Sequence, residues 1–192
     1  VTGCGDDAIE TDTVSGINLR VWDNVLDGNF NGISLAPVYQ GPEYVLDNTI
    51  TGYTRSAFKL SLSGAGHVWI CHNTTYSDVA PTSSVWPSGP YSNVHFRDNI
   101  LSGNGAAPVK DDSDESLTGN DFDGDLLYAT GTSALFRWKG NDYTSLTALR
   151  AATGFETNGR AGDPLFVSPA GGDFALQSAS PALGTAVPIP GV

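Results

Sequence analysis

The sequence predicts an all-β solenoid, a chain wound into about five coils of short parallel strands. Three observations predict it. A step ending in asparagine recurs as Val21-Trp22-Asp23-Asn24, Val45-Leu46-Asp47-Asn48, Ile70-Cys71-His72-Asn73 and Phe96-Arg97-Asp98-Asn99, with asparagines 24, 25 and 26 apart. A second column, Ile9, Ile33, Phe58, Val85 and Val109, keeps the same period at 24, 25, 27 and 24. The 23 glycines and 11 prolines supply the turns such short strands need. A single coil cannot bury its inner face alone, so two columns locked over five periods mean stacked coils.

Taken in order, the chain opens at Val1-Thr2-Gly3-Cys4 with no methionine and no basic-plus-apolar leader. The expectation is a processed piece of a longer protein, whose first coil is covered by upstream coils or by another copy of the chain. Leu19, Glu43, Val68 and Val94 precede the asparagine steps by a constant interval. Three are apolar, so the approach alternates as a half-buried strand does. Each asparagine is expected at a tight turn, in the left-handed region, its amide bonded to those above and below. A weaker fifth copy is Leu117-Thr118-Gly119-Asn120-Asp121, with Asn120 only 21 residues after Asn99. The tail differs. Within Asp142–Gly154, Leu146, Leu149 and Thr153 fall on one helical stripe and Gly154 is a stop signal. The segments 162–167, 172–176 and 180–184 then read as a closing cap, with Asp163 before Pro164 as a turn former. The coils are placed at 1–125 and the cap at 126–192.

Nine basic against 21 acidic residues give a net charge of −12, which argues against binding nucleic acid or an anionic membrane surface. No stretch reaches the ~18 apolar residues of a spanning helix, so no membrane insertion is expected. Cys4 and Cys71 lie in different columns and have no zinc spacing; two free thiols are expected.

In a coil, residues one period apart sit about 4.8 Å from each other. Alignment on Ile9, Ile33 and Phe58 puts Glu10, Ser34 and Lys59 in one column, Asp6, Phe30 and Arg55 in another, and Asp7, Asn31 and Ser56 in a third. The first turn thus presents Asp6, Asp7 and Glu10, with Asp12 nearby, and the same edge presents Arg55 and Lys59 two coils on. Crowded carboxylates repel unless protonated, solvated or bridged, and calcium bridges hard oxygens in flexible geometry. The residues leave a solvated acidic turn open as the other reading. His67, His72 and His95 lie in separate turns with no partner visible from spacing. Asp111, Asp112, Asp114, Glu115, Asp121, Asp123 and Asp125 form an acidic loop without an EF-hand's spacing. Trp22, Tyr44, Trp69, Trp86 and Tyr91 either line a sugar-binding face or pack beneath loops.

The repeat resembles the right-handed parallel β-helix proteins of the pectate-lyase-like group, over residues 3 to about 125. Gly5-Asp6-Asp7-Ala8-Ile9-Glu10 is similar to the Asp-Asp-x-x-Asp motif of family 9 pectate lyases, with Glu in the third place. The tail looks like the C-terminal segment of secreted bacterial β-helix proteins. The resemblance implies calcium ligands at Asp6, Asp7 and Glu10 and Lys59 as base; Arg55, four residues before Lys59, is read from its position as a neighbouring cation or a ligand for the substrate carboxylate. It implies a polysaccharide lyase acting on an acidic glycan by β-elimination, secreted or at the cell surface of a bacterium. The alternative is a non-catalytic module of a larger surface protein, for adhesion or glycan binding.

Overall fold

A computed structural model of the chain describes residues 1–12, 15–61, 66–113 and 118–187. The chain is a β-solenoid of about five coils with one short helix near its C-terminus. Each coil has three strand positions, one more than the sequence columns indicate, and like positions stack into parallel sheets. Sheet A takes Asp7–Glu10, Asn31–Leu35, Ser56–Leu60 and Thr82–Val85, and Val109 extends it by a single bridge to Val85. Sheet B takes Leu19–Trp22, Glu43–Leu46, Val68–Cys71, Val94–Arg97 and Asp121–Asp123. Sheet C takes Val25–Asp27, Thr49–Thr51, Thr74–Tyr76, Ile100–Asn104, Leu126–Thr130 and Arg160–Ala161. An antiparallel pairing of Thr82 and Ser83 with Asn104 and Gly103 joins A to C.

The register follows the sequence columns. Ile9 pairs with Ile33, Ile33 with Phe58, Phe58 with Val85 and Val85 with Val109. Leu19, Glu43, Val68 and Val94 are likewise paired in series. Inward residues stack as Val21, Val45, Ile70, Phe96 and Phe122 in B, and as Leu26, Ile50, Thr75, Leu101 and Leu127 in C. Burying such columns is what makes the coil stable, since no coil has a core of its own. At Gly32 the backbone of the next coil comes so close that an added Cβ would lie 2.6 Å from the Ala57 carbonyl oxygen, and 2.4 Å from the Ile50 side chain at Cγ2. The C-terminal end of the core is closed by aromatic rings: Phe122 stacks on Phe96 at 4.5 Å, and Phe136, Trp138 and Phe155 pack around it.

The asparagines stack as a ladder. Each Nδ2 donates to the next Oδ1, Asn24 to Asn48 and Asn48 to Asn73 at 2.9 Å, Asn73 to Asn99 at 3.0 Å. Two details differ from the sequence expectation. The left-handed residue is the one before each asparagine, namely Asp23, Asp47, His72 and Asp98, with φ of 53–58°. The asparagine itself stays out of that region, which leaves its amide aligned with the column. The fifth rung is Asp125, whose Oδ1 accepts from Asn99 Nδ2 at 2.8 Å, and the left-handed residue before it is Gly124. Asn120 instead sits ahead of the sheet B strand and bonds to the Val94 N–H and the Tyr91 carbonyl. Leu117, Asp114 and Glu115 lie outside the described residues.

Past residue 125 the coil continues, since Leu126–Thr130 and Arg160–Ala161 extend sheet C. The helix spans Leu146–Thr153, capped by the Ser145 hydroxyl on the Ala148 N–H and ended by Gly154 at φ 78°, with Leu149 buried. An antiparallel hairpin, Phe166–Ser168 with Asp173–Leu176, then packs Phe166 and Phe174 on Tyr76. Asp163 accepts the Leu165 N–H, the turn-forming role expected of it.

Candidate functional site

Sheet A brings the acidic first turn and the basic third coil into contact. Asp7, Asn31 and Ser56 are paired in register, as are Glu10, Ser34 and Lys59. The Lys59 ammonium donates to Asp7 Oδ2 at 2.7 Å and lies 3.9 Å from Asp12 Oδ2. The other Asp7 oxygen accepts from Asn31 Nδ2 at 2.7 Å. Asn31 Oδ1 accepts in turn from the Ser56 hydroxyl at 2.7 Å and from Arg55 at 3.4 Å. Asp12 is fixed by the Ser34 hydroxyl at 2.6 Å and the Ala36 N–H at 2.9 Å.

The electrostatics follow from these contacts. Burial alone would raise the Asp7 carboxyl, but hydrogen bonds from Lys59 and Asn31 outweigh it and hold it below the usual carboxylate range. Burial would lower Lys59, but Asp7, with Asp12 and Asp6 behind it, holds it above the ordinary lysine value. Arg55 is lowered by burial, against the pull of Asp7. Lys59 is therefore a tethered ammonium facing carboxylates.

Carboxylate oxygens of Asp7, Glu10 and Asp12 lie within 4.8 Å of one another. Three convergent hard oxygens fit a calcium ion in donor type. Asp12 takes the third place in this convergence, and Asp6 is exposed beside it rather than part of it. The Lys59 ammonium already supplies positive charge at Asp7, so an ion held there has to displace it.

The Lys59 column runs on along the solenoid. Trp86 follows Val85, Lys110 follows Val109, and Lys110 bridges to Arg137. Trp86 lies between cations, with Lys110 Nζ 3.7 Å and Arg55 Cζ 5.3 Å from ring centroids. Arg137 is paired with Asp112 and Asp142. Four of the nine basic residues thus share one strip of a chain carrying −12. A groove of about 780 Å³ lies elsewhere, between sheet C and the C-terminal hairpin, and none of the described residues lining it is basic.

Other sequence candidates disperse. Tyr91 is buried and Trp22 is exposed at the first coil. Trp69 is stacked on by His95 at 4.3 Å, so that ring face is taken. His72 is exposed at its turn, while His67 and His95 meet at 2.8 Å on sheet B. Asp111 and Asp125 are fully buried rather than part of an open acidic loop. Cys4 and Cys71 are free thiols.

No protein-family model, curated protein or solved structure matches this chain. The functional reading therefore rests on these side chains. Two carboxyls named in the sequence turn out to be buried. Glu43 is the one charged residue in an apolar column; it is buried, and burial pushes its carboxyl up to about 7, with the charge of Asp12 adding to it. Asp125 was legible from spacing alone, 26 residues after Asn99 where Asn120 is 21.

Proposed function

We propose that the chain is carbohydrate-active and that sheet A works on an acidic polysaccharide, as a lyase that cleaves a uronic-acid polymer by β-elimination. The observation behind this reading is the convergence of Asp7, Asn31, Arg55 and Lys59, drawn from three successive coils, in one hydrogen-bonded cluster. A uronan presents a carboxylate beside the carbon that loses its proton. Arg55, which no salt bridge engages among the described residues, and Lys110 farther along the strip offer positive charge to such carboxylates along the coil axis. Lys59 is the group placed to take the proton. The electron pair of the broken C–H bond becomes a ring double bond, the neighbouring C–O bond to the leaving sugar breaks, and its oxygen leaves with that bond's pair and takes a proton from water. Asp7, Glu10 and Asp12 are the residues that would hold calcium, which when bound neutralises the substrate carboxylate. Lys59 would act as base only where the hold of Asp7 on its ammonium is loosened. Such polymers lie outside the cell, so this reading carries a secreted or surface location with it.

A second reading has its own observation. Lys59 is held protonated by a 2.7 Å ion pair, the opposite of a poised base, and this suits a module that binds an acidic glycan without cleaving it. One assay separates the two: ultraviolet absorbance of unsaturated products across a panel of uronans, with and without calcium, beside calorimetric binding to the same polymers. Product formation that needs calcium and is lost in Lys59→Ala supports the lyase. Binding without product on any polymer supports the module, and neither binding nor product removes both.

A further inference from the structure

Sheet B carries a second assembly that the sheet A reading does not use. His67 Nδ1 and His95 Nε2 are 2.8 Å apart, and His95 Nδ1 is 3.0 Å from Asp121 Oδ2. His95 and Asp121 are paired in register one coil apart. We propose that His67 is a nucleophilic and acid–base centre for the hydrolysis of carboxylic esters, held ready by His95 and Asp121. His95 and Asp121 are positioning residues in this scheme.

The direction of the relay follows from its fixed end. Burial alone would raise the Asp121 carboxyl, but hydrogen bonds from His95 and Arg97 outweigh it and keep it anionic. An ionised carboxylate only accepts, so in the neutral pair His95 carries its proton on Nδ1 and a lone pair on Nε2. That lone pair takes the proton of His67 Nδ1, which leaves the His67 lone pair on Nε2. Among the described residues no polar atom bonds to that nitrogen, and His67 is exposed where His95 is 8% exposed. His95 cannot turn freely, because Trp69 stacks on its face at 4.3 Å and His67 and Asp121 hold its two nitrogens. Arg97 anchors the other Asp121 oxygen. A buried histidine aligned by a carboxylate and bonded to an exposed nucleophile is the arrangement used in acyl transfer; here the nucleophile is an imidazole.

In the step itself, His67 Nε2 attacks the acyl carbon, the ester C–O bond breaks, and the alkoxide leaves with the electron pair and takes a proton from water. The Nδ1 proton moves toward His95 Nε2, and Asp121 faces the charge that develops. The hydroxide left by that proton transfer adds to the acyl-imidazole, the C–N bond breaks, the carboxylic acid departs, and His95 returns its proton to His67 Nδ1. The net change is ester plus water to acid plus alcohol.

The probes are p-nitrophenyl acetate for turnover and diethyl pyrocarbonate for histidine reactivity, the latter read by mass spectrometry with exposed His72 as internal standard. His67 is expected to react roughly tenfold or more faster than His72, and His67→Gln to lose p-nitrophenolate release by a similar factor. In Asp121→Asn the amide oxygen is drawn to Arg97 and the NH₂ faces His95 Nδ1, which reverses the relay and places a proton on His67 Nε2. Nitrogen-15 shifts should show Nε2 of His67 unprotonated in the parent and protonated in Asp121→Asn, with His67 reactivity falling to the His72 level. Equal reactivity of His67 and His72, a protonated Nε2 in the parent, or turnover retained in His67→Gln overturns the proposal. His67 is exposed, so its variant and the parent's spectra decide the matter even if Asp121→Asn does not fold.

Discussion

Replacing Asp125 by asparagine should stabilise the chain above neutral pH, and the top of the ladder supplies the magnitude. Asp125 Oδ1 accepts from the Asn99 backbone N–H at 2.7 Å and from its Nδ2 at 2.8 Å, while the Asp125 N–H donates to Glu156 Oε2 at 3.1 Å. Both carboxyls are fully buried. Burial lifts Asp125 from 3.8 to about 7, and burial with the Asp125 charge beside it lifts Glu156 well above the ordinary glutamate value. Unfolded, both ionise near pH 4. Folded, Asp125 keeps its proton up to about pH 7, and Glu156 keeps its own well beyond the ordinary glutamate range, so the native state binds more protons than the unfolded chain in that window. Stability therefore falls as pH rises from about 4 to 7. At ~1.36 kcal/mol per pKa unit, Asp125 alone accounts for ~4 kcal/mol. An asparagine there accepts the same two N–H bonds, offers its NH₂ to Glu156 and does not titrate. The assay is urea unfolding of parent and Asp125→Asn at pH 4.5 and pH 8. The two should unfold alike at the lower pH. At the higher pH the variant should be more stable by ~2–4 kcal/mol, a midpoint shift of about 1–2 M at a typical m-value. Parallel pH profiles, or a variant weaker than the parent at pH 8, would refute the argument that this pair is strained by charge.

Three further outcomes follow from the same contacts. Asn73→Ala removes an amide that bonds Asn99, the Val45 and Cys71 carbonyls and the Asn48 N–H; it should cost ~3 kcal/mol or more in urea unfolding, at 1–3 kcal/mol per stranded buried group, and more than Asn24→Ala at the partly exposed end. Burial first, then Asp125, pushes the Cys71 thiol up to about 12, so the folded chain should show one fast thiol with Ellman's reagent at pH 8, that of Cys4, and two after denaturation. Asp7→Ala should abolish calorimetric calcium uptake if Asp7, Glu10 and Asp12 hold the ion, whereas Asp6→Ala should weaken it little.

The fold was legible because a solenoid writes its contacts into its period. Partners in a coil are one repeat apart, so Ile9, Ile33, Phe58, Val85 and Val109 could be paired from numbers alone. The third strand position was not legible. Its rungs are short, and Val25-Leu26-Asp27 and Thr74-Thr75-Tyr76 show little common apolar pattern. The left-handed residue was misplaced by one because aspartate and histidine also tolerate that region, and the asparagine drew attention by its identity.

The candidate site divides along the same line. Register put Asp7 with Asn31 and Glu10 with Lys59, because those pairs sit on one sheet with a constant period. The His67–His95 contact escaped, since 28 residues separate them and His67 precedes its strand where His95 lies within one. Which carboxylates converge depends on how the chain leaves the strand after Glu10. Asp12 turns back to Ser34 and Ala36 and so joins Asp7, while Asp6, ahead of the strand, stays outside. Periodicity fixes which coil a residue faces, but the loops decide whether its functional atoms arrive. For that reason residue order put Lys59 in the column of Glu10 and Ser34, whereas its ammonium crosses to Asp7 of the neighbouring column, a choice that side-chain packing makes.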